Sequence, residues 1–286
     1  MKQQYKNENL IFLPDFKLFD YDKWSELLEK RVGITVPRER EAFLQTKIWS
    51  RMRELGIKSF SSYWQMVNNG ITGKLEWSEL LDRLTVHETS FFRHKPSYDL
   101  VESDFSNILK EYRKFHYKVW SVSCATGEEP YSLAMLLHTI KEQSDRDSIY
   151  YGITATDVSK PALSLGDNGF YNKDKIKEID FPYRKYLVKV NPNIFTIDRQ
   201  IKERVAFGVF NLLKINEMPK IKFDIIFCQN VLIYFSKEKK IEILEGFKRF
   251  LKVGGMLILN PADIGNWKSK NMTRITYKRT LAYKLN

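Results

Sequence analysis

Within this chain of 286 residues, the stretch that most directly suggests a ligand is Ser123-Cys124-Ala125-Thr126-Gly127-Glu128-Glu129-Pro130. It follows an apolar run, Lys118 to Cys124, and precedes Leu133, Leu136, Leu137 and Ile140 at helical spacing, so it reads as a strand-to-helix turn. In an open α/β sheet such a turn meets the ligand. Its small residues let the backbone come close, but its single glycine is not the three-glycine fingerprint of a pyrophosphate binder. Glu128 adds negative charge where a phosphate would be repelled. A neutral or cationic ligand is favoured; a sulfonium fits and a dinucleotide fits poorly. Asp157 closes a second apolar run, Tyr150 to Thr156, where it can accept hydrogen bonds from two ribose hydroxyls. Taken singly, Gly127 and Asp157 could equally cap a helix and a strand.

Other chemistries find little support. His87, His94, His116 and His138 show no metal-ligand spacing, and Cys124 and Cys228 both lie in apolar, strand-like runs. We therefore expect no metal site, no disulfide framework and a cytoplasmic location. No run approaches the ~18 apolar residues of a membrane span. Leu10-Ile11-Phe12-Leu13 is too short for the core of a signal peptide, so no membrane insertion is expected.

Two kinds of element must hold these residues. From about residue 117, strands alternate with helices: Lys118 to Cys124, Tyr150 to Thr156 and Phe223 to Cys228 read as strands. A helix from about Lys237 to Leu251 is broken by Gly254-Gly255, and Met256 to Leu259 is a further strand. The alternation predicts a parallel sheet with helices on both faces. Short β-like pieces from about 172 to 206, broken by Pro182 and Pro192, read as an inserted subdomain. The first third is helical, with segments near Trp24–Leu28, from Pro37 to Gly56, from Ser61 to Asn68 and from Trp77 to Leu84. On the second of these, Arg40, Lys47 and Arg51 fall together beside an apolar stripe of Leu44, Ile48, Met52 and Leu55. The net charge of +12 suggests an anionic partner, which could be nucleic acid, a lipid surface or an acidic protein; a generally basic, solvated surface is the bland alternative.

Longer strings carry a family likeness. Thr85-Val86-His87-Glu88-Thr89-Ser90-Phe91-Phe92-Arg93 resembles the segment linking the two domains of the chemotaxis-receptor glutamate methyltransferases, the CheR family. Ser123 to Ser132 resembles that family's cofactor loop, and Ala155-Thr156-Asp157 its ribose-binding strand end. Phe210-Asn211-Leu212-Leu213 resembles its adenine-side segment, and Cys228-Gln229-Asn230-Val231-Leu232-Ile233-Tyr234-Phe235 its fourth-strand motif. The helix ending in Arg51-Met52-Arg53-Glu54-Leu55-Gly56 is similar to part of its N-terminal domain. The likeness spans roughly residues 20 to 285, with the motifs in order.

The resemblance implies a Rossmann-like methyltransferase sheet (α/β class) with an N-terminal all-helical domain and a small inserted antiparallel β-subdomain. It divides the chain into a helical domain at 15–84, a linker at 85–100 that contributes to the cofactor site, and a catalytic domain at 101–286 containing the insertion at about 172–206. It implies S-adenosylmethionine as cofactor, leaving S-adenosylhomocysteine, with contacts at His87, Thr89, Arg93, Glu128, Asp157, Asn211, Leu212, Gln229 and Asn230. Arg93 would hold the cofactor's carboxylate, and Tyr234 either shapes the acceptor pocket or is a core aromatic. Arg40, Lys47, Arg51 and Arg53 would dock an acidic helix of a methyl-accepting chemotaxis receptor, with the enzyme a monomer. Three departures stand out: His87 where the family usually has Asn, Gln229 where it has Arg, and Asn260-Pro261-Ala262-Asp263 in place of Gly-His-Ser-Glu. The stretch Tyr186 to Ile194 lacks the glycine of members that need a receptor C-terminal peptide, so methylation without such a tether is expected.

The departures keep a non-catalytic cofactor-sensing module as one alternative. The other is a nucleic-acid methyltransferase, suggested by the six Lys or Arg and no acid between Ile264 and Asn286. Against it, Asn230-Val231-Leu232-Ile233-Tyr234 lacks the prolines of an Asn/Asp-Pro-Pro-aromatic motif.

Overall fold

The structure, a computed structural model, describes residues 19–85, 87–144, 148–264 and 267–286. The run Leu10 to Leu13, the expected domain start at residue 15 and Val86 of the linker lie outside the described residues. The chain divides into two compact units: residues 19–27 with Val36–Leu84, and Leu28–Thr35 with the described residues from Thr85 to Asn286.

The first unit is helical. It holds the start of α1 (Tyr21–Val32), then α2 (Glu41–Glu54), α3 (Phe60–Asn68) and α4 (Gly70–Leu84). Leu44, Ile48 and Met52 recur every four residues along α2 and are fully buried. These are three positions of the apolar stripe that the sequence pattern required; the fourth, Leu55, follows the helix end and is exposed. Ser59 caps α3 by accepting the Ser62 N–H. Trp24 stacks on Tyr63 and meets Trp64 edge-on. The fourth helix starts seven residues before Trp77. Its first turns hid from the pattern because they bury Gly73 and Glu76 and expose Ile71 and Leu75. Gly73 is required there: a Cβ would lie 2.5 Å from the Met66 carbonyl oxygen.

The second unit runs α5 (Lys95–Glu111), β1 (Phe115–Val122), α6 (Glu128–Glu142), β2 (Ile149–Asp157), α7 (Lys160–Asn168), β3 (Phe170–Asn172), α8 (Lys173–Ile176), β4 (Leu187–Lys189), β5 (Ile194–Ile197), α9 (Arg199–Lys202), β6 (Val205–Val209), β7 (Phe223–Cys228), α10 (Lys237–Lys248), β8 (Leu251–Leu259), β9 (Met272–Tyr277) and β10 (Thr280–Leu285). Seven strands form one sheet in the order β6-β2-β1-β7-β8-β10-β9. The first five in that order pair in parallel, and β10 is antiparallel to both neighbours. The insertion is the antiparallel sheet β3-β5-β4; Val205–Val209 returns to the main sheet.

Side chains alternate across β1, as a period of two demands. Tyr117 and Val119 enter one core with α5 and α6, while Trp120 and Val122 enter the other with α10. Two expectations need correction. Gly254-Gly255 does not end a helix: α10 stops at Lys248, and the glycines form a bulge inside β8 opposite Phe223–Ile225. Gly254 has φ +81°, and a Cβ on Gly255 would crowd the Asp224 carbonyl oxygen at 3.0 Å. The residues from Ile264 onward, read only as a basic run, supply the β9–β10 hairpin.

Candidate functional site

The chain leaves β1 toward β2 on one side and returns to β7 on the other. The carboxyl ends of β1, β2 and β7 therefore open a crevice at the point where strand order reverses. The turn after β1 is wound tightly. Ser123, Ala125 and Gly127 all have positive φ, at 55°, 48° and 93°. Each such non-glycine residue costs on the order of 1–3 kcal/mol and persists only where its surroundings impose it. Here Cys124 N donates to Thr156 O and Tyr171 Oη donates to Thr126 O, at 2.9 and 2.7 Å. Gly127 has no room for a side chain, since a Cβ would lie 2.9 Å from both Gly166 Cα and the Tyr171 hydroxyl.

Asp157 ends β2 and is 6% exposed. Its Oδ2 accepts from Ala125 N and its Oδ1 from Ser159 N, both at 2.9 Å. Burial pushes the carboxyl up, against backbone N–H groups of Ser159, Ala125 and Val158 and nearby His87, which favour its charged form. Glu128, at the start of α6, is 1% exposed and accepts from Thr126 Oγ1 at 2.6 Å. Lys175 Nζ stands 2.9 Å from Glu128 Oε1, close enough to pair in charge but too poorly aligned to satisfy it as a hydrogen bond. The same ammonium donates to Thr89 O at 2.8 Å, tying the linker to the crevice.

The linker residues lie nearby in the same unit. His87 Nε2 is 3.0 Å from Thr85 Oγ1. Arg93 is exposed, and its guanidinium is anchored on Glu88 O at 2.6 Å. Arg93 also acts electrostatically on Glu129, a residue to which the sequence assigned no role. Glu129 accepts from Ser121 Oγ at 2.7 Å. Its carboxyl is surrounded by protein although the residue keeps some solvent access, the situation of a group on a crevice wall. Desolvation raises its pKa to about 8, with the Asp263 charge adding to the rise.

Beyond β7, Asn230 also has positive φ, 60°. Asp263, fully buried, holds this turn: its Oδ2 accepts from Asn230 N and Asn260 N at 3.1 Å. Burial raises the Asp263 pKa to about 6. Asp263 thus gives the altered segment after β8 a structural task that the sequence could not reveal. Gln229, standing in for the family's arginine, buries both amide atoms without a partner among the described residues. A buried unpaired amide costs ~1–3 kcal/mol, so this one marks a place for a ligand or water.

Asn211 is occupied structurally. Its Oδ1 accepts from Leu213 N at 3.0 Å and its Nδ2 donates to Arg31 O at 2.7 Å, beside the buried Leu212. The carbonyl of Tyr234 accepts from Thr35 N at 2.8 Å. The Tyr234 ring is half-buried against the β7–α10 core, so it is partly a core aromatic and partly exposed. Gly33 makes this packing possible, because a Cβ there would come within 2.6 Å of the Phe235 ring. Sequence reading saw Gly33 only as a helix stop.

In the helical unit, the expected docking cations separate into two kinds. Arg51 is locked internally: Nε and Nη2 meet the two oxygens of Glu76 at 2.9 and 2.8 Å, and Nη1 meets Glu54 at 3.1 Å. Tyr63 Oη donates to the same Glu76 at 2.6 Å. The pairing holds the Arg51 pKa above its ordinary value. Arg51 is therefore removed from the docking stripe, whereas Arg40, Lys47 and Arg53 are exposed. Among the described residues, no group of three or more His, Cys, Asp or Glu could hold a metal ion, and both cysteines are free and buried. Among them, too, no helix is long and apolar enough to cross a membrane.

Comparison with known proteins bears on the whole chain. The family model for the CheR all-alpha domain matches residues 20–85, and that for the CheR SAM-binding domain matches residues 87–278. A chemotaxis protein methyltransferase of Borreliella burgdorferi is 28% identical over 268 residues, covering 90% of this chain and 94% of that protein. Chemotaxis protein methyltransferase 1 of Pseudomonas aeruginosa is 30% identical, covering 86% of this chain and 90% of its own. The Escherichia coli chemotaxis protein methyltransferase is 29% identical, with 84% and 82% covered.

Proposed function

The chain belongs to the CheR methyltransferase family and uses S-adenosylmethionine, and from that premise we propose that it esterifies glutamate carboxylates of methyl-accepting chemotaxis receptors. The observation that carries this reading is the crevice beside β1. There a strained small-residue turn, the buried carboxylate of Asp157 at the end of β2 and the unpaired Gln229 amide lie at the switch point. These groups fit the cofactor's donors and acceptors. When bound, the cofactor supplies an electrophilic methyl group.

The protein's own residues hold and shield. Asp157 accepts the ribose hydroxyls, and Asn211, Leu212 and Asn230 flank the adenosine. Arg93, steadied by Glu88 O, would hold the cofactor's carboxylate. His87, Thr89, Glu128 and Gln229 line the remainder, and Tyr234 shapes the acceptor side. A substrate glutamate with an ordinary pKa near ~4.3 is already ionised at neutral pH, so no residue must take its proton. Alignment and removal of water from the carboxylate are what remain for the protein to do. The absence of any need for a base agrees with a crevice built from carboxylates, amides and an arginine.

The reading divides the work among a docking domain (15–84), a linker (85–100) and a catalytic domain (101–286) in a cytoplasmic monomer. The β4–β5 turn is closed by Asn191 Oδ1, which accepts from Asn193 N and Ile194 N at 2.9 and 2.8 Å. That tight turn supports methylation without a C-terminal receptor tether. The test is transfer of tritiated methyl groups to receptor signalling-domain fragments. Label released by mild alkali supports the glutamyl ester; label on nucleic acid, or label on protein that survives alkali, excludes it.

A further inference from the structure

A second feature lies at the same end of the sheet but outside the cofactor crevice. Pro261 and Ile264 after β8, and Arg274, Thr276, Lys278, Arg279, Thr280 and Leu281 of the β9–β10 hairpin, line an open cavity of ≈ 530 Å³. Its position follows from register: Leu281 pairs with Leu259, the last residue of β8, and with Thr276 of β9. The cavity therefore opens beside the carboxyl end of β8, next to the segment that Asp263 anchors to Asn230.

Its chemistry is mixed in a particular way. Arg274, Lys278 and Arg279 are exposed cations, in a stretch from Ile264 to Asn286 that has six Lys or Arg and no acid. Asp99 of α5 partly neutralises Lys278 through an ion pair. Pro261, Ile264 and Leu281 give apolar contact, and the exposed Thr276 side chain adds a hydroxyl; that of Thr280 is buried against Ser97. A free anion would gain nothing from the apolar side, and a nucleic-acid backbone calls for a longer run of cations. A carboxylate-bearing amphipathic segment matches both parts. The matched family span ends at residue 278, so all of β10 lies beyond what the family model covers.

We propose that this cavity receives an acidic segment of the protein substrate flanking the methyl-accepting glutamate, making Arg274 and Arg279 specificity determinants on the catalytic unit. The inference rests on the reading of the protein as a receptor glutamate methyltransferase. Two charges at the rim of an encounter surface act mainly on association. Apparent KM for receptor should therefore move while kcat and cofactor affinity stay.

The experiment uses the full chain and the Arg274→Glu/Arg279→Glu variant, with Arg274→Lys/Arg279→Lys as the conservative control. Methyl transfer to receptor signalling-domain fragments gives kcat and KM, calorimetry gives S-adenosylhomocysteine affinity, and anisotropy follows a fluorescein-labelled glutamate-rich receptor helix. The expected result is a receptor KM raised on the order of tenfold, weaker peptide binding by a similar factor, unchanged S-adenosylhomocysteine affinity, and recovery in the lysine control. An active wild type whose KM and peptide affinity ignore the reversal overturns the inference. So does duplex DNA binding that the reversal abolishes while receptor KM stays constant. A wild type that methylates no receptor fragment defeats the functional reading instead, and the peptide-binding arm then still decides the cavity.

Discussion

In the helical unit, the buried carboxylate of Glu76 meets Arg51 on both oxygens and Tyr63 on one. In the sheet unit, both amide atoms of Gln229 are buried without a hydrogen bond among the described residues, and Glu128 Oε1 has only the Lys175 ammonium beside it at 2.9 Å. The two regions bury the same kinds of groups, and only one of them completes the bonding. A completed network serves the fold, because removing any member strands the others. An incomplete one costs stability and is kept where a ligand will finish it. The contrast separates residues whose loss should unfold the protein from residues whose loss should empty its site.

The largest expected effect tests the completed side. Arg51→Ala leaves Glu76 buried with Tyr63 alone, and should cost about 3–5 kcal/mol of stability. Denaturant titration measures it, and S-adenosylhomocysteine affinity, read by calorimetry at a temperature where the variant stays folded, should hardly change. Replacing Arg51 and Glu76 together by apolar residues of similar volume should restore most of the loss. A cost below about 1 kcal/mol, the range of an exposed pair, would place Arg51 back among the surface cations.

The incomplete side is tested next. Asp157→Ala should weaken S-adenosylhomocysteine by about 1–3 kcal/mol, roughly ten- to a hundredfold, through hydroxyls left unpaired. Asp157→Asn, which keeps the shape and one acceptor oxygen, should fall between. Unchanged binding in both variants would mean that the Asp157 carboxylate meets no ribose, and the contrast with Glu76 would collapse.

A third prediction concerns Glu129, whose pKa burial raises from an ordinary 4.5 to about 8. The folded protein therefore holds this proton over a range where the unfolded chain has lost it. Stability from this group is fully present below 4.5 and falls as pH rises through 8. Asp263 acts with the same sign, between 3.8 and about 6. Between pH 6 and pH 8 Glu129 carries most of the change, and the part of the Asp263 titration that remains above pH 6 is common to wild type and Glu129→Gln. Burial lowers the pKa of His94 and His138, which pull the other way, but equally in both proteins. Urea midpoints of wild type should drop from pH 6 to 8 relative to Glu129→Gln. Parallel profiles would show that the Glu129 carboxyl is as solvated as its residual exposure allows.

Much of this was legible in the chain. The turn after β1, Asp157 and the parallel alternation could be read because local sequence dictates them: small residues at a strand end, apolar runs of strand length, and a helix with its proline in the first turn. The site also contained parts without a local signature. Asp263 acts by holding a turn thirty-three residues earlier, and Lys175 reaches Glu128 and Thr89 from the insertion. Only tertiary folding brings such groups together. Glu129 sat inside the quoted motif, but its significance depends on desolvation, which sequence does not display. Arg51 shows the reverse error. On a helical wheel it lies beside Lys47, yet its partner Glu76 sits on a helix whose start lacked any apolar stripe. The β9–β10 hairpin was hidden for a similar reason, since its charged edge strand read only as a basic run.

The smallest expected effect concerns the cations that remain on α2 once Arg51 is set aside. Lys47 lies over the Phe43 ring at 5.6 Å and Arg53 over the Trp49 ring at 5.3 Å, both on the exposed arc of the helix. Neither has a buried carboxylate to satisfy, so Lys47→Glu/Arg53→Glu should leave stability within about 0.5 kcal/mol of wild type. If they steer an acidic receptor helix, reversal should raise receptor KM a few-fold at low salt and leave S-adenosylhomocysteine affinity alone. Raising ionic strength should then narrow the gap between wild type and variant, because screening removes an attraction that only wild type possesses. Receptor kinetics that match wild type at low salt would make this arc an ordinary solvated face. The charge available for steering would then be concentrated on the catalytic unit, where Arg274 and Arg279 line a cavity rather than a convex helix, and where the same reversal should have the larger effect.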